Sequence, residues 1–140
     1  MNLKQAYLNT DYQVRLSPTQ TLHIRAEQPN PKLDAYLKEL QTWAYLTAWN
    51  PDSQPLPTKK NTQRNQQLEK ELQVQNYPYF HGEGVPDNSN WLPEASFWIL
   101  GISKRAAIAF GKKWEQRAIV WGQRGKVAEL LPCLRKGFGD

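Results

Sequence analysis

Two short runs of this chain are apolar at consecutive positions, where a strand with one wet face would alternate. Trp43-Ala44-Tyr45-Leu46-Thr47-Ala48-Trp49 sets Trp43, Tyr45, Thr47 and Trp49 at period two and fills the opposite face with Ala44, Leu46 and Ala48. Phe97-Trp98-Ile99-Leu100-Gly101 is apolar on both faces as well. A strand with no polar face has to be covered on both sides, so both runs are expected in the interior of a sheet. Pro51 has no amide hydrogen to give to a ladder and should end the first run, holding Asn50 in extended geometry where a loop meets the core. Ligands of open α/β sheets often bind outside strand ends, which makes Asn50 a candidate site residue.

The segment from Asp52 to Lys60 is polar and proline-rich and reads as a mobile or surface linker. A helix is expected from about Asn61 to Asn76. Asn61, Asn65, Leu68 and Leu72 share one face of it, with Arg64 alongside. Leu68 and Leu72 are core contacts, so the two asparagines lie on the buried side and need partners, because an unpaired buried amide costs about 1–3 kcal/mol. Two readings fit. Asn61 caps the helix while Asn65 bonds a neighbouring loop, or Asn50, Asn61, Arg64 and Asn65 line a polar pocket at a helix N-terminus, where an anion is favoured.

The other segments supply the frame. Tyr12–Leu16 and Leu22–Ala26 alternate around the turn residues Ser17-Pro18-Thr19-Gln20 and predict a β-hairpin, with His23 on its exposed face. Pro31 suits a helix start, and Leu33, Tyr36, Leu37 and Leu40 continue the helical period to about Gln41. Tyr77–Val85 begins as a strand and turns glycine-rich around Gly82 and Gly84, with His81 beside them; it lacks the context of a phosphate-binding loop. Asp87-Asn88-Ser89-Asn90 reads as a loop. Glu94 and Ser96 stand at the entrance of the second apolar strand, where a carboxyl could act as an acid or base of raised pKa, bind backbone amides, or pair with Arg64.

Ser103 is a natural N-cap for a helix that packs through Ala106, Ala107, Phe110 and Trp114. Gln116 precedes a strand over Arg117–Trp121, Gly122–Gly125 make a turn, and Val127–Leu134 form a last apolar segment holding Cys133 as a packing residue. The tail from Arg135 to Asp140 is expected to fray.

Charge adds a second possibility. The chain carries a net charge of +5, but residues 1–103 sum to −1 and residues 104–140 to +6. Lys104, Arg105, Lys112, Lys113, Arg117, Arg124, Arg135 and Lys136 could therefore attract nucleic acid, although a solvated helix face also explains half of them. One cysteine and two histidines exclude a cysteine-based zinc site and an intrachain disulfide. No cofactor loop is visible. Met1 is followed by no apolar run and no segment reaches the roughly 20 apolar residues of a membrane span, so a cytoplasmic protein is expected.

Thr47-Ala48-Trp49-Asn50-Pro51, then Asn61 with Arg64 and Asn65, then Trp91-Leu92-Pro93-Glu94-Ala95-Ser96-Phe97, then Gln116–Val120, in that order, resemble a bacterial family of domains of unknown function, family 3293. The resemblance runs from about Tyr12 to Leu131 and implies a compact bacterial domain without an assigned activity. The fold expected is a single α/β domain of the α+β kind spanning residues 1–140, with its core over about 12–131. It is a mixed, mainly antiparallel sheet with about three packed helices. The functional expectation is a pocket for a small polar or phosphorylated ligand formed by Asn50, Asn61, Arg64, Asn65, Glu94, Ser96 and Gln116, with Glu94 the candidate base. Nucleic-acid binding through the basic C-terminal quarter and a protein-interaction module are the alternatives.

Overall fold

The two apolar runs lie side by side in the middle of one sheet. In the computed structural model, which describes residues 2–88 and 90–139, the first run forms β3 (Thr42–Leu46) and the second β5 (Glu94–Leu100). They pair antiparallel with Tyr45 opposite Trp98, and the other neighbour of β3 is β6 (Ala118–Gln123), with Tyr45 opposite Val120. The remaining strands are β1 (Thr10–Ser17), β2 (Gln20–Ile24), β4 (Tyr79–Pro86) and β7 (Glu129–Pro132). The seven-stranded order is β2-β1-β4-β5-β3-β6-β7, and every pairing among the described residues is antiparallel. The α+β class and the mainly antiparallel sheet hold. Among the described residues four α-helices accompany it: α1 (Leu3–Leu8), α2 (Pro31–Leu37), α3 (Thr58–Val74) and α4 (Lys104–Lys113).

Period two along β3 divides the core. Ala44 and Leu46 face a cluster completed by Leu68 and Leu72 of α3, Ala107 and Phe110 of α4, and Phe97, Ile99 and Trp121. Trp43 and Tyr45 face the other cluster, with Trp98, Val120, the α2 residues Leu33 and Leu37, and the hairpin residues Tyr12, Val14, Leu22 and Ile24. Each fully buried leucine among these contributes about 1.5–3 kcal/mol. The Pro31 helix thus lies on the face opposite α3 and α4.

The outer strands approach each other. The Glu27 amide, just past β2, donates to the Ala128 carbonyl at 2.7 Å, and the Ala128 amide, just before β7, donates to Gln28 at 3.2 Å. These strands are at opposite ends of the strand order, so the sheet must curl until its edges nearly meet. Within the curl the Tyr45 hydroxyl crosses β4 to donate to the Gln13 carbonyl of β1 at 2.7 Å. It passes over Gly82, where a Cβ would overlap that same carbonyl oxygen. Glycine is required there by close approach.

Several boundaries differ from the sequence reading, each for a visible reason. β3 stops at Leu46, not Trp49, because the next backbone groups bond to α3 side chains. Asn50 is not extended but left-handed (φ 48°, ψ 68°), a conformation asparagine tolerates. The linker after it is anchored: Pro51–Ser53 form a 3₁₀ turn and the Asp52 amide donates to Glu115 O at 2.6 Å. α3 starts one turn early, at Thr58. α2 ends at Leu37, short of Gln41, where Lys38 turns left-handed and the Arg124 guanidinium donates to the carbonyls of Asp34, Lys38 and Leu40. β6 continues through Gln123, which shortens the turn to Arg124–Gly125. Val127–Leu134 resolves into β7. In the tail, Arg117 donates to the carbonyls of Gly137 and Gly139, and the Phe138 ring packs edge-on to Tyr7 at 5.8 Å. Ser89 and Asp140 lie outside the described residues.

Candidate functional site

β3 and β5 part after the Leu46–Phe97 pair. Continued in register, the ladder would next join Ala48 to Ala95. The side-chain amide of Asn65 occupies that place: its Oδ1 accepts the Ala48 N–H at 2.9 Å and its Nδ2 donates to the Ala95 carbonyl at 2.8 Å. One asparagine therefore replaces a rung of the sheet and holds the strands apart. Thr47 reinforces it, with its hydroxyl donating to the same Ala95 carbonyl at 2.6 Å.

A cavity of about 220 Å³ opens at this end of the curled sheet, between the strand ends and α1. Tyr45, Thr47, Glu94, Ser96 and Ala118 supply the strand side, Asn50 and Ser53 the turn, Ala6 and Tyr7 the helix, and Trp91 the rim. Most of the lining is apolar. Glu94 is the main exception, and burial raises its carboxyl pKa against the opposing effect of its two hydrogen bonds. Those bonds come from Asn50 Nδ2 at 3.1 Å and Trp91 Nε1 at 3.3 Å, both to Oε2. Burial also pushes the Tyr7 phenol up to about 12, opposed by its contacts with the Ser53 hydroxyl and the Ala118 amide. Tyr12 and Tyr45 are raised by burial as well.

Of the residues singled out from sequence, Asn50, Glu94, Ser96 and Gln116 converge on this cavity from three separate segments. Asn61, Arg64 and Asn65 stand behind it. Asn61 accepts the Asn50 amide at 2.8 Å and donates to Asn50 Oδ1 at 2.7 Å and Leu56 O at 3.2 Å, which fixes the turn and does not cap the helix. Arg64 donates to Ala48 O at 2.6 Å and Trp114 O at 2.8 Å, and meets Glu115, not Glu94, at 3.5 Å. Gln116 donates to Trp49 O and Trp114 O at 3.1 and 3.0 Å, holding the loop against β6.

Tyr7, Tyr12, Tyr45 and Trp91 were not singled out from sequence. For the three tyrosines the signal was the hydroxyl, since a purely structural core position is filled as well by phenylalanine and a buried hydroxyl demands a partner; Trp91 stands at the exposed rim and carried no such signal. His23 is exposed against Asp11 at 2.9 Å, and exposed His81 pairs with Glu69 at 3.0 Å; neither lines the cavity. Cys133 is buried beside Gly111 with its thiol pushed up to about 11 by burial, as a packing residue should be.

The basic quarter is largely committed to the fold. Arg117 is buried on Asp52 and the tail carbonyls, and Arg124 caps α2. Lys104 pairs with Glu129 at 3.0 Å, Lys113 with Glu71 at 2.9 Å, and Lys136 with Asp52 at 3.6 Å. Arg105, Lys112 and Arg135 remain exposed. Among the described residues no group of three or more His, Cys, Asp or Glu side chains could hold a metal ion, and no helix is long and apolar enough to cross a membrane.

The architecture defined here is a curled antiparallel α+β sheet with a cavity at the point where its central strands separate. Residues 46–119, just over half of the chain, match the family described as Protein of unknown function (DUF3293), and the chain belongs to that family. The match is narrower than the resemblance read from Tyr12 to Leu131. It contains Asn50, Asn65, Glu94 and Gln116 but neither the hairpin nor α1. No curated protein and no solved structure matches the chain.

Proposed function

We propose that this domain binds a small molecule in the cavity beneath α1, with Glu94 and Asn50 orienting its polar end and the tyrosines enclosing its body. The observation that carries the reading is a carboxyl largely enclosed in an apolar cavity without a cationic partner. Keeping it there costs stability, which the hydrogen bonds from Asn50 and Trp91 offset only in part, since burial still raises its pKa. The lining narrows the expected ligand. Phosphate and other anions fit poorly beside Glu94, since no lysine or arginine is among the described residues that line the cavity. Binding is preferred to catalysis because no nucleophile in the lining is paired with an activating base.

The test is thermal unfolding of the purified chain against a library of small apolar amines, alcohols, amides and acids. A stabilising ligand should lose its effect in Ala6→Phe, which fills the cavity from the half-buried side of α1. Ligands that stabilise the wild type and this variant equally would place binding elsewhere. Nucleic-acid binding through Arg105, Lys112 and Arg135 remains the second reading, and would show as retention of the chain by DNA or RNA that falls steeply with added salt.

A further inference from the structure

We infer that the cavity takes an organic cation, a protonated amine on an apolar body, with the Glu94 carboxylate as its counter-ion. The inference rests on the cavity being a ligand site and specifies what that site accepts.

The argument is an inventory of hydrogen bonds. Around the carboxylate, most side-chain donors are already spent on protein acceptors, the Tyr7 hydroxyl being the exception. Asn50 Nδ2 and Trp91 Nε1 serve Glu94 Oε2, and Ser96 Oγ donates to the Glu94 carbonyl at 2.9 Å. Thr47 Oγ1 is given to Ala95 O, and both bonds from Gln116 Nε2 go to backbone carbonyls. The Tyr12 hydroxyl donates to Tyr7 O at 3.0 Å and that of Tyr45 to Gln13 O. What the wall offers in excess is acceptor capacity: Glu94 Oε1, which no described residue bonds, and the lone pairs of the phenols. A ligand that satisfies this wall has to bring the donors, and an ammonium group brings up to three together with a positive charge.

Charge points the same way. No lysine, arginine or histidine is among the described lining residues. The other acidic side chain there, Asp87, lies at the exposed rim with Arg25 at 3.5 Å, so the rim charges offset one another and Glu94 remains the unopposed ion inside. Tyr7, Tyr12, Tyr45 and Trp91 add ring surface, which attracts a cation through its quadrupole and also covers an apolar body. An anionic ligand would meet the like charge of Glu94 with no cation to offset it.

The experiment uses matched probes that differ only in the polar end: 2-phenylethylammonium, 2-phenylethanol and phenylacetate, with the benzyl and cyclohexylmethyl series beside them. Binding is read from the Trp91 indole resonance of the wild-type chain, so only occupancy near Glu94 counts. The ammonium member of at least one series should bind about tenfold or more tightly than its alcohol, and the carboxylate should not bind. In Glu94→Gln the ratio of ammonium to alcohol affinity should fall to about one, whereas Glu94→Asp and Asp87→Asn should keep the preference for the ammonium. An alcohol or carboxylate that binds as well as its ammonium partner overturns the cation inference and leaves the ligand site standing. If no member of any series reaches the cavity at millimolar concentration, both are overturned. Should Glu94→Gln fail to fold, the wild-type series alone decides between these outcomes.

Discussion

Replacing Asn65 by leucine removes one side-chain amide and tests the claim that it serves as a rung of the sheet. Asn65 is 7% exposed, and leucine is only slightly larger, so the change leaves no cavity behind. The Ala48 N–H loses its acceptor and has no alternative, since the strand partner that would supply one has diverged. The Ala95 carbonyl is less affected because the Thr47 hydroxyl still reaches it. Thr47 loses only a longer contact to Asn65 at 3.3 Å. The cost is therefore dominated by one buried, unsatisfied amide, or about 2 kcal/mol. Asn65→Ala should lose more, about 3 kcal/mol, because it also leaves a void. Urea unfolding followed by tryptophan fluorescence measures both, and a 2 kcal/mol loss should lower the midpoint by roughly 1 M with the slope unchanged. Gln66→Ala, on the exposed face of the same helix, should lie within about 0.5 kcal/mol of the wild type. If Asn65→Leu is no worse than Gln66→Ala, the amide is not bridging β3 to β5 and the explanation of the cavity fails with it.

Two other outcomes are expected. Burial raises the Glu94 pKa above the ordinary 4.5, so the folded state holds a proton that the unfolded chain releases. Wild-type stability should then fall as the pH rises from about 4.5 through the folded-state value, and Glu94→Gln should abolish that fall and be at least as stable at neutral pH. Midpoints of urea unfolding across this range decide it, and a wild-type-to-variant difference that does not change with pH would contradict the burial argument. Gly82→Ala should cost about 2 kcal/mol by driving a methyl into the Gln13 carbonyl and the Tyr45 hydroxyl above it. A thermal midpoint equal to that of the wild type would show that β1 and β4 are not in such close approach.

How much of this was legible in the chain depended on how far apart the causes lay. The buried face of α3, the interior character of β3 and β5 and the hairpin all follow from periodicity within a few residues, and all are present. Strand order is a matter of distant pairing, and nothing local says that β3 sits between β5 and β6. The left-handed Asn50 escaped because its conformation is imposed by Asn61 and Leu56, which bond its side chain from beyond the turn. In the site, a buried polar residue reads the same whether it holds a ligand or holds backbone. Asn61, Arg64 and Asn65 were therefore grouped with Glu94, although their hydrogen bonds hold the loop, β5 and the end of α4 together. The tyrosines failed in the opposite direction: at period two in a strand they look like core, and Tyr7 acquires its meaning only by lying against Ser53 and Ala118.

The placement of β3 also governs when the fold can form. Its two neighbours come later in the chain, with Trp98 and Val120 lying 53 and 75 residues beyond the Tyr45 they oppose. Such separations make assembly slow, since long loops must close before their contacts offset the lost entropy. A chain emerging during synthesis would therefore carry Trp43, Tyr45 and Leu46 unpaired on both edges until β5 emerges, and on one edge until β6 is available. Fragments that stop short of Gln123 should collect as aggregates, with the segment best suited to the centre of the native sheet as their first point of self-association.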